Sequence, residues 1–286
     1  MRFSLIVATV NRTDQLERLL RSLASQRCTS FEVVLVDQNT DDRVKVIADA
    51  WSDRMTIRRL QSEKGISRAR NRGLPEAIGE IIAFPDDDCW YAPDVLERVD
   101  AWFASHPDFA FLSTCATDTN DKPVAGRWLP QSAEITRSNV FRTHISFSLF
   151  FRQGAVRAAR GFDEQLGLGG KIGSEETDCV LRVMSLGNRG WYDRSLAVFH
   201  PARVFDASPA VQDRAFTDGL GFGYVMRRHK IPLPHAFYLC IRPAGGWLLN
   251  ILHRRTLARV YRATLLGRLE GYFSSQARLS APVLMD

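Results

Sequence analysis

Long apolar runs are missing from this sequence. None reaches the roughly 18 residues that a membrane-crossing helix needs, so no transmembrane helix is expected. The opening stretch, Met1 to Arg12, has only a short apolar run and no small-residue cleavage site. It reads as a buried strand rather than a signal peptide, and no secretion is implied. Cysteines are few. The five (Cys28, Cys89, Cys115, Cys179 and Cys240) are odd in number and widely spaced. That argues against a disulfide framework and a CxxC zinc site, and for reduced thiols in a cytosolic protein. Repeats and low-complexity segments are absent. Glycine is missing from the turn after the first strand, Thr9-Val10-Asn11-Arg12, so neither a GxGxxG fingerprint nor a P-loop is present. Any phosphate cradle must come from elsewhere.

What is present is an ordinary globular composition: 286 residues, 45% hydrophobic and 24% charged, enough for a normal core. The length allows one large domain or a domain with an appendage. The net charge of +6 is uneven. Residues 1–200 hold 26 Lys and Arg against 27 Asp and Glu, whereas residues 201–286 hold 12 against 5. The basic part thus reads as an appendage to a neutral domain. Anionic lipid headgroups or an acidic acceptor are its candidate partners, and no nucleic acid is expected.

Phe3 to Ala8 is an apolar run broken only by Ser4, read as a buried parallel strand, and Phe31 to Val36 reads as a second buried strand ending in Asp37. Between them, Thr13 and Asp14 can cap a helix whose apolar face is Leu16, Leu19, Leu20 and Leu23. A helix over about 42–51, a strand near 55–60, a short Arg-rich helix over 66–73 and a strand from Glu80 to Phe84 follow. Pro93 reads as the first residue of the next helix, with Val95, Val99, Trp102 and Phe103 inward, before a strand from Phe109 to Ser113. This alternation predicts a doubly wound α/β sheet for the first 115 residues. Beyond it, 115–145 are polar and turn-rich, Ser146–Phe151 and Ser195–Phe199 read as strands, and 175–186 as a helix. Gly161 to Gly173, with five glycines, reads as a mobile loop, and the chain turns helical from about 207.

Ligands of open α/β sheets bind beyond the carboxyl ends of the strands. Three strands end in polar residues there: Thr9-Val10-Asn11-Arg12, Asp37-Gln38-Asn39 and Asp86-Asp87-Asp88. Three adjacent carboxylates repel one another, and hard oxygen ligands suit Mg²⁺ or Mn²⁺, which would relieve them while holding a diphosphate. The plainer alternative is a solvated acidic turn capping the helix near Pro93. Lys64 and the Arg68-Ala69-Arg70-Asn71-Arg72 stretch supply basic counterparts for phosphate oxygens. On that helix Arg68 and Arg72 share a face and Arg70 points elsewhere.

Taken in order, Asp37, Lys64-Gly65…Ala69-Arg70-Asn71, Asp86-Asp87-Asp88, Gly161-Phe162-Asp163-Glu164 and Glu175-Glu176-Thr177-Asp178 resemble the motifs of glycosyltransferase family two, over roughly residues 3–200. The resemblance implies an α/β, GT-A-type doubly wound mixed sheet flanked by helices, with a helical C-terminal appendage. On it, residues 1–205 form the catalytic domain (nucleotide-sugar half about 1–115, acceptor half about 116–205). Residues 206–286 form a basic amphipathic helical region.

The activity implied is inverting transfer of a hexosyl or deoxyhexosyl group from a nucleoside diphosphate sugar to a hydroxyl of a glycan or lipid-linked acceptor, in surface-polysaccharide synthesis. Thr9 and Asn11 look like first-strand contacts to the nucleotide, Asp37 like the carboxylate that accepts from the base, and Arg70 like the nucleotide-contacting arginine. Arg12, Asn39, Lys64 and Asp87 complete the expected donor site. Asp86 and Asp88 match the DxD pair, with Asp88 the direct metal ligand. Glu176 takes the general-base position, where the family often has Asp, with Glu175 as its rival. Both can instead serve only as acids in a first helical turn, which the helix dipole favours. His200 is either a ligand of the metal or diphosphate, or a satisfied structural histidine. Trp90 and Trp191 either line the sugar or acceptor pocket or pack in the core.

The chemistry explains these residue types. The departing diphosphate needs a cation, the anomeric carbon becomes oxocarbenium-like, and the attacking hydroxyl needs one carboxylate to take its proton. In the C-terminal third, Leu248, Leu249, Leu252 and Phe273 mingle with Arg254, Arg255, Arg259 and Arg262. Such a stretch can lie on a membrane surface or pack on the catalytic domain. The expected location is cytoplasmic, peripheral on the inner face of a membrane. A sugar-phosphate nucleotidyltransferase and a non-enzymatic basic module stand as alternatives. The first lacks its Gly-rich loop, and the second leaves the aspartates unexplained.

Overall fold

A computed structural model describes residues 1–126, 128–169, 172–202 and 208–274. The chain divides into two units. The first comprises Met1–Phe162 and Cys179–Arg203, the second Asp163–Asp178 and Val204–Asp286.

The first unit is built on an eight-stranded mixed sheet. In chain order its strands are β1 (Phe3–Thr9), β2 (Phe31–Asp37), β3 (Thr56–Gln61), β4 (Ile81–Ala83), β5 (Phe109–Thr117), β6 (Ala133–Ile135), β7 (Leu149–Arg152) and β8 (Arg189–Phe199). Spatially they run β3-β2-β1-β4-β7-β5-β8-β6. The first four are mutually parallel, as are β5 and β8, while β7 and β6 run against their neighbours. Because β7 is antiparallel to both β4 and β5, the parallel strands on its two sides point the same way. Their carboxyl ends share one edge. β1 and β2 are buried at every position, which is why their sequence is mostly apolar rather than alternating, with the buried Ser4 hydroxyl donating to Glu32.

Helices α1 (Asp14–Ala24), α2 (Arg43–Trp51), α3 (Ile66–Gly73), α4 (Val95–Ser105) and α5 (Gln153–Ala158) connect the strands. Leu16, Leu19, Leu20 and Leu23 of α1 are fully buried, each worth about 2 kcal/mol relative to exposure. They join β1, β2 and β4 side chains in a single core.

Several local expectations are corrected. Thr13 precedes α1 without a side-chain cap, its backbone being near-helical. Pro93 is not the first residue of α4. It lies in a turn closed by the Val95 N–H on the Ala92 carbonyl, and the helix opens at Val95. Ser146–Ser148 is a 3₁₀ turn, because the Ser148 hydroxyl bonds back to the Ile145 backbone and turns the chain before β7 begins. β8 runs eleven residues, not five, and β6 pairs with its first half inside a stretch read as loop. Part of the loop expected over 161–173 lies outside the described residues.

The second unit contains the first turn of α6 (Glu175–Ser185) and three helices, α7 (Pro209–Arg228), α8 (Leu233–Asn250) and α9 (Arg255–Phe273). α7 and α9 meet through glycine. A Cβ on Gly223 would collide with the Arg268 carbonyl and one on Gly271 with the Leu220 carbonyl. Gly219 and Gly267, each four residues earlier on its helix, make the same approach to Thr264 and Phe216. Two small-residue ridges thus let the backbones touch. Among the described residues no helix is long and apolar enough to cross a membrane.

Candidate functional site

The shared edge of the sheet gathers the polar strand tips. Thr9 pairs with Asp37, Ala8 bridges to Asp86, and Trp90 bridges to Phe199, the residue before His200. Sheet register therefore brings Thr9, Asp37, Asp86–Asp88 and His200 to one place although they span almost 200 residues of sequence.

Each aspartate is held differently. Asp87 is buried, accepting from Thr9 Oγ1 at 2.8 Å and from Arg12 Nη1 at 2.8 Å. Asp88 takes a second contact from Arg12 Nη1 at 2.5 Å and faces His200 Nε2 at 3.3 Å. Asp86 accepts from Arg70 Nη2 at 3.0 Å. Arg70 is 2% exposed, with its guanidinium 5.1 Å from the Phe162 ring centre. Burial pushes the Asp86 carboxyl up to about 6, against the pull of Arg70, and the Asp88 and Asp87 charges add to the rise. Burial raises Asp87 as well, opposed by Arg12 and Thr9. For Asp88 burial is outweighed by His200 and Arg12, which hold it below the usual carboxylate range.

His200 is fixed in both plane and tautomer. Its ring stacks on Phe147 with centroids 4.7 Å apart, and Nδ1 lies 2.7 Å from the Pro201 carbonyl. A carbonyl can only accept, so Nδ1 carries the hydrogen and Nε2 is left to face Asp88. Burial disfavours the imidazolium, but Asp88 and the Pro201 carbonyl outweigh it and raise the pKa. Asp86, Asp88 and His200 present ligand atoms within 4.8 Å of one another, and among the described residues they form the single such group. Two carboxylate oxygens and an imidazole nitrogen suit Mg²⁺ or, better, Mn²⁺. Burial disfavours the ionised Asp86 carboxylate more than Arg70 favours it, and a bound cation would favour the ionised form. The residues therefore fit a divalent cation.

Beside this cluster stands a hydrogen-bonded relay. The buried Asp37 carboxylate accepts from Arg59 Nε and Nη2 at 2.9 and 2.7 Å, and from the Asn39 backbone and side-chain amides at 2.9 and 2.8 Å. That orients Asn39 so that its Oδ1 accepts from the Asn11 N–H at 2.7 Å. Asn11 has φ +56°, a left-handed conformation that asparagine tolerates. Lys64 is exposed, and the next residue, Gly65, donates its N–H to Gln38 Oε1 at 2.7 Å.

Trp90 lies at the cluster's rim. It stacks on Phe199 at 5.7 Å, with the Arg18 guanidinium 4.1 Å from its ring centre, and Arg18 Nη2 donates to the Asp88 carbonyl at 2.8 Å. The structure does not bring Trp191 there. It sits near the start of β8, paired with Leu112 and Glu134, while the cluster lies past the strand's end. A hollow of about 550 Å³ lined by Met1, Leu23, Phe31, Arg54 and Thr56 also belongs to the opposite edge, where β1, β2 and β3 begin.

Asn71, which the resemblance marks, and Arg182 of α6 do structural work in the first unit. Asn71 exchanges two 2.8 Å hydrogen bonds with the Phe162 backbone, and Arg182 Nη2 donates to the Gly161 carbonyl at 2.7 Å. Together they clamp the turn under Arg70.

In the second unit, Glu175 is buried and Glu176 half-buried in the first turn of α6. Ser174 is not an ordinary cap, its φ of +71° lying in the left-handed region. Asp178 is fully buried, 2.8 Å from His229 Nε2 and 3.4 Å from Arg228 Nε. Arg228 also pairs with Asp163. A Cβ on Gly221 of α7 would collide with the Gly173 carbonyl, so the approach to Glu175 is seated on that helix by backbone contact. Arg59, Arg18, Arg228 and His229 were not foreseen. Each is one arginine or histidine among many, and no local pattern marks it.

Comparison with known proteins agrees with this geometry. The family model described as "Glycosyl transferase family 2" matches residues 4–157, more than half of the chain. Glycosyltransferase AglE of Haloferax volcanii is 27% identical over 256 residues, covering 86% of this chain and 81% of that protein. The poly(ribitol-phosphate) β-N-acetylglucosaminyltransferase TarS of Staphylococcus aureus is 33% identical over 137 residues, 46% of this chain but only 23% of its own length. The TarS fragment solved with UDP-GlcNAc superposes with a TM-score of 0.62 at 20% identity, covering 94% of this chain and 91% of that one. Mannosyltransferase PcManGT from Pyrobaculum calidifontis, solved with GDP-Man and Mn²⁺, gives 0.65 at 18% identity, covering 96% and 88%. At such identity the structures establish the fold alone, which is the GT-A fold. The chain belongs to glycosyltransferase family 2.

Proposed function

We propose that the enzyme transfers a hexosyl or deoxyhexosyl group, with inversion, from a nucleoside diphosphate sugar to a hydroxyl of a glycan or lipid-linked acceptor. The setting we infer is surface-polysaccharide synthesis at the cytoplasmic face of a membrane. One observation carries the reading: the ligand atoms of Asp86, Asp88 and His200 converge within 4.8 Å at the carboxyl edge of the sheet. These three residues would hold Mg²⁺ or Mn²⁺, whose charge would stabilise the departing diphosphate. The solved complexes of PcManGT with GDP-Man and Mn²⁺ and of TarS with UDP-GlcNAc support a nucleotide-sugar donor.

The chain's own residues have distinct tasks in this scheme. The half-exposed Arg12, bonded to Asp87 and Asp88, neutralises them without a donor and is placed to turn to phosphate oxygens with one. Thr9, Asn11, Asn39, Lys64 and Asp87 shape the donor site. Asp37 and Arg70, both buried, also support their neighbours: Asp37 sets Asn39, and Arg70 holds Asp86. Glu176 is assigned as general base, taking the acceptor's proton as its oxygen attacks the face opposite the leaving group. A single displacement of this kind needs no covalent nucleophile.

Thermal-shift titration with UDP-, GDP- and dTDP-sugars, with and without Mn²⁺, tests the reading. A metal-dependent shift with at least one donor is expected, and Asp88→Ala is expected to abolish it. A chain that binds none of the three families of nucleotide, at any metal concentration, is not the enzyme proposed.

A further inference from the structure

We propose that the outward face of α8 docks the protein on an anionic lipid bilayer. The inference deepens the acceptor side of the proposed function and rests on that reading only for what the docking serves. Its residues are separate from the acid cluster.

Helix α8, Leu233–Asn250, carries a single charged residue, Arg242. Its inner face is accounted for by α9. Ala236, Leu239 and Pro243 are buried, a Cβ on Gly246 would press on the Tyr261 ring, and Arg268 donates to the Leu239 carbonyl. At 100° per residue these positions fall on one side of the helix. Leu233, Phe237, Ile241 and Leu248 fall in a stripe on the other, flanked by Tyr238 and Leu249. That side is exposed: Phe237 69%, Leu248 64%, Leu249 81%, continuing into Leu252 at 78%. A helix at a water surface is normally polar there, and a contiguous apolar patch marks an interaction surface.

Charge selects the partner. Between Asp218 and Glu270 the sequence holds no acidic residue and nine Lys and Arg. Arg242, Arg254, Arg255, Arg259 and Arg262 are exposed within that span. A second copy meeting this face would set two acid-free basic surfaces against each other. A bilayer with anionic headgroups supplies the opposite charge and an apolar interior together. The stripe from Leu233 to Leu249 is about 24 Å long at helical rise, is interrupted by Pro243, and is not apolar enough to span. It therefore lies in the plane of the interface, where Phe237 and Tyr238 suit the headgroup level.

Flotation of the full chain with phosphatidylcholine vesicles containing 0, 30 or 50% phosphatidylglycerol tests this. Binding is expected to appear with phosphatidylglycerol and to fall in high salt. The double variant Phe237→Asp, Leu249→Asp is expected to lose it by at least tenfold. Exchanging Arg254, Arg255, Arg259 and Arg262 for Gln should weaken it by about fivefold per arginine. Both variants should keep the Mn²⁺-dependent donor shift, so a failure of docking is separable from a failure of the catalytic reading. The proposal is overturned if the wild-type chain stays unbound at 50% phosphatidylglycerol, or if the double variant binds as well as wild type. A concentration-dependent dimer dispersed by the double variant would overturn it too, assigning the face to a second copy.

Discussion

The two units place their carboxylates by different means. In the first, sheet register does the placing. Buried β1, β2 and β4 can slip by no residue without turning their side chains to the wrong face, so Thr9, Asp37 and Asp86 meet because apolar residues behind them pack. In the second, the placing is by backbone contact. Gly221 lets the Gly173 carbonyl against α7, and Asp178 is gripped by Arg228 and His229 at the end of that helix. The difference teaches where each unit is fragile. The first tolerates change at its acidic tip and fails in its core, while the second fails at glycines that have no side chain to lose.

The widest gap between the units should appear in turnover. Glu176→Gln is expected to reduce transfer about a thousandfold while leaving the donor-induced thermal shift intact. Asp88→Ala, in the other unit, should remove that shift itself. A Glu176→Gln enzyme with normal turnover would reject the base assignment and with it the catalytic half of the contrast.

Stability comes next. Gly223→Leu forces a side chain into the Arg268 backbone. It should cost about 3 kcal/mol and lower Tm by roughly 10 °C, read by calorimetry. An unchanged Tm would mean that the glycine seam does not set the second unit's packing.

A smaller effect distinguishes the acid cluster from ordinary surface carboxylates. Asp86 binds its proton more tightly folded than unfolded, so its ionised form costs stability, and that cost is relieved as pH falls through about 6. His200, also raised, contributes stability that is complete below its unfolded value near 6.5 and lost as pH rises through its folded value. Both act in one direction. Asp88, lowered, matters only below its ordinary 3.8, outside this range. The metal-free protein should therefore gain on the order of 1 kcal/mol between pH 8 and pH 5.5, and saturating Mn²⁺ should erase or reverse the trend. Smallest of all, Trp191→Phe should change the donor KM by less than about twofold, because that ring lies at the far end of β8 from His200.

Much of this was legible in the sequence. Mostly apolar runs marked β1, β2 and β4, leucine spacing marked α1, and strand-tip aspartates pointed to the edge where the cluster sits. What escaped depends on long-range contact. Arg59 and Asn39 both donate to Asp37, a partnership that the strand tip alone does not announce. Arg70 lies against Asp86 and over Phe162, contacts that no local pattern announces. β8 hides because Arg189, Asp193 and Arg194 interrupt its pattern, and β6 because three residues carry too little periodicity to see. Ser146 to Phe151 looked like one strand because its composition is strand-like, yet one serine hydroxyl closes a turn within it.

The relay from Asp37 through Asn39 to the Asn11 amide has a thermodynamic corollary. The segment after β1 acquires its shape during folding, so the conformational entropy of ordering it is already spent when a ligand arrives. Encounter at that segment then resembles a key entering a cut lock rather than a glove drawn onto a hand. Disturbing Asn39 should accordingly register in calorimetry as a less favourable binding entropy before it registers as a lost contact.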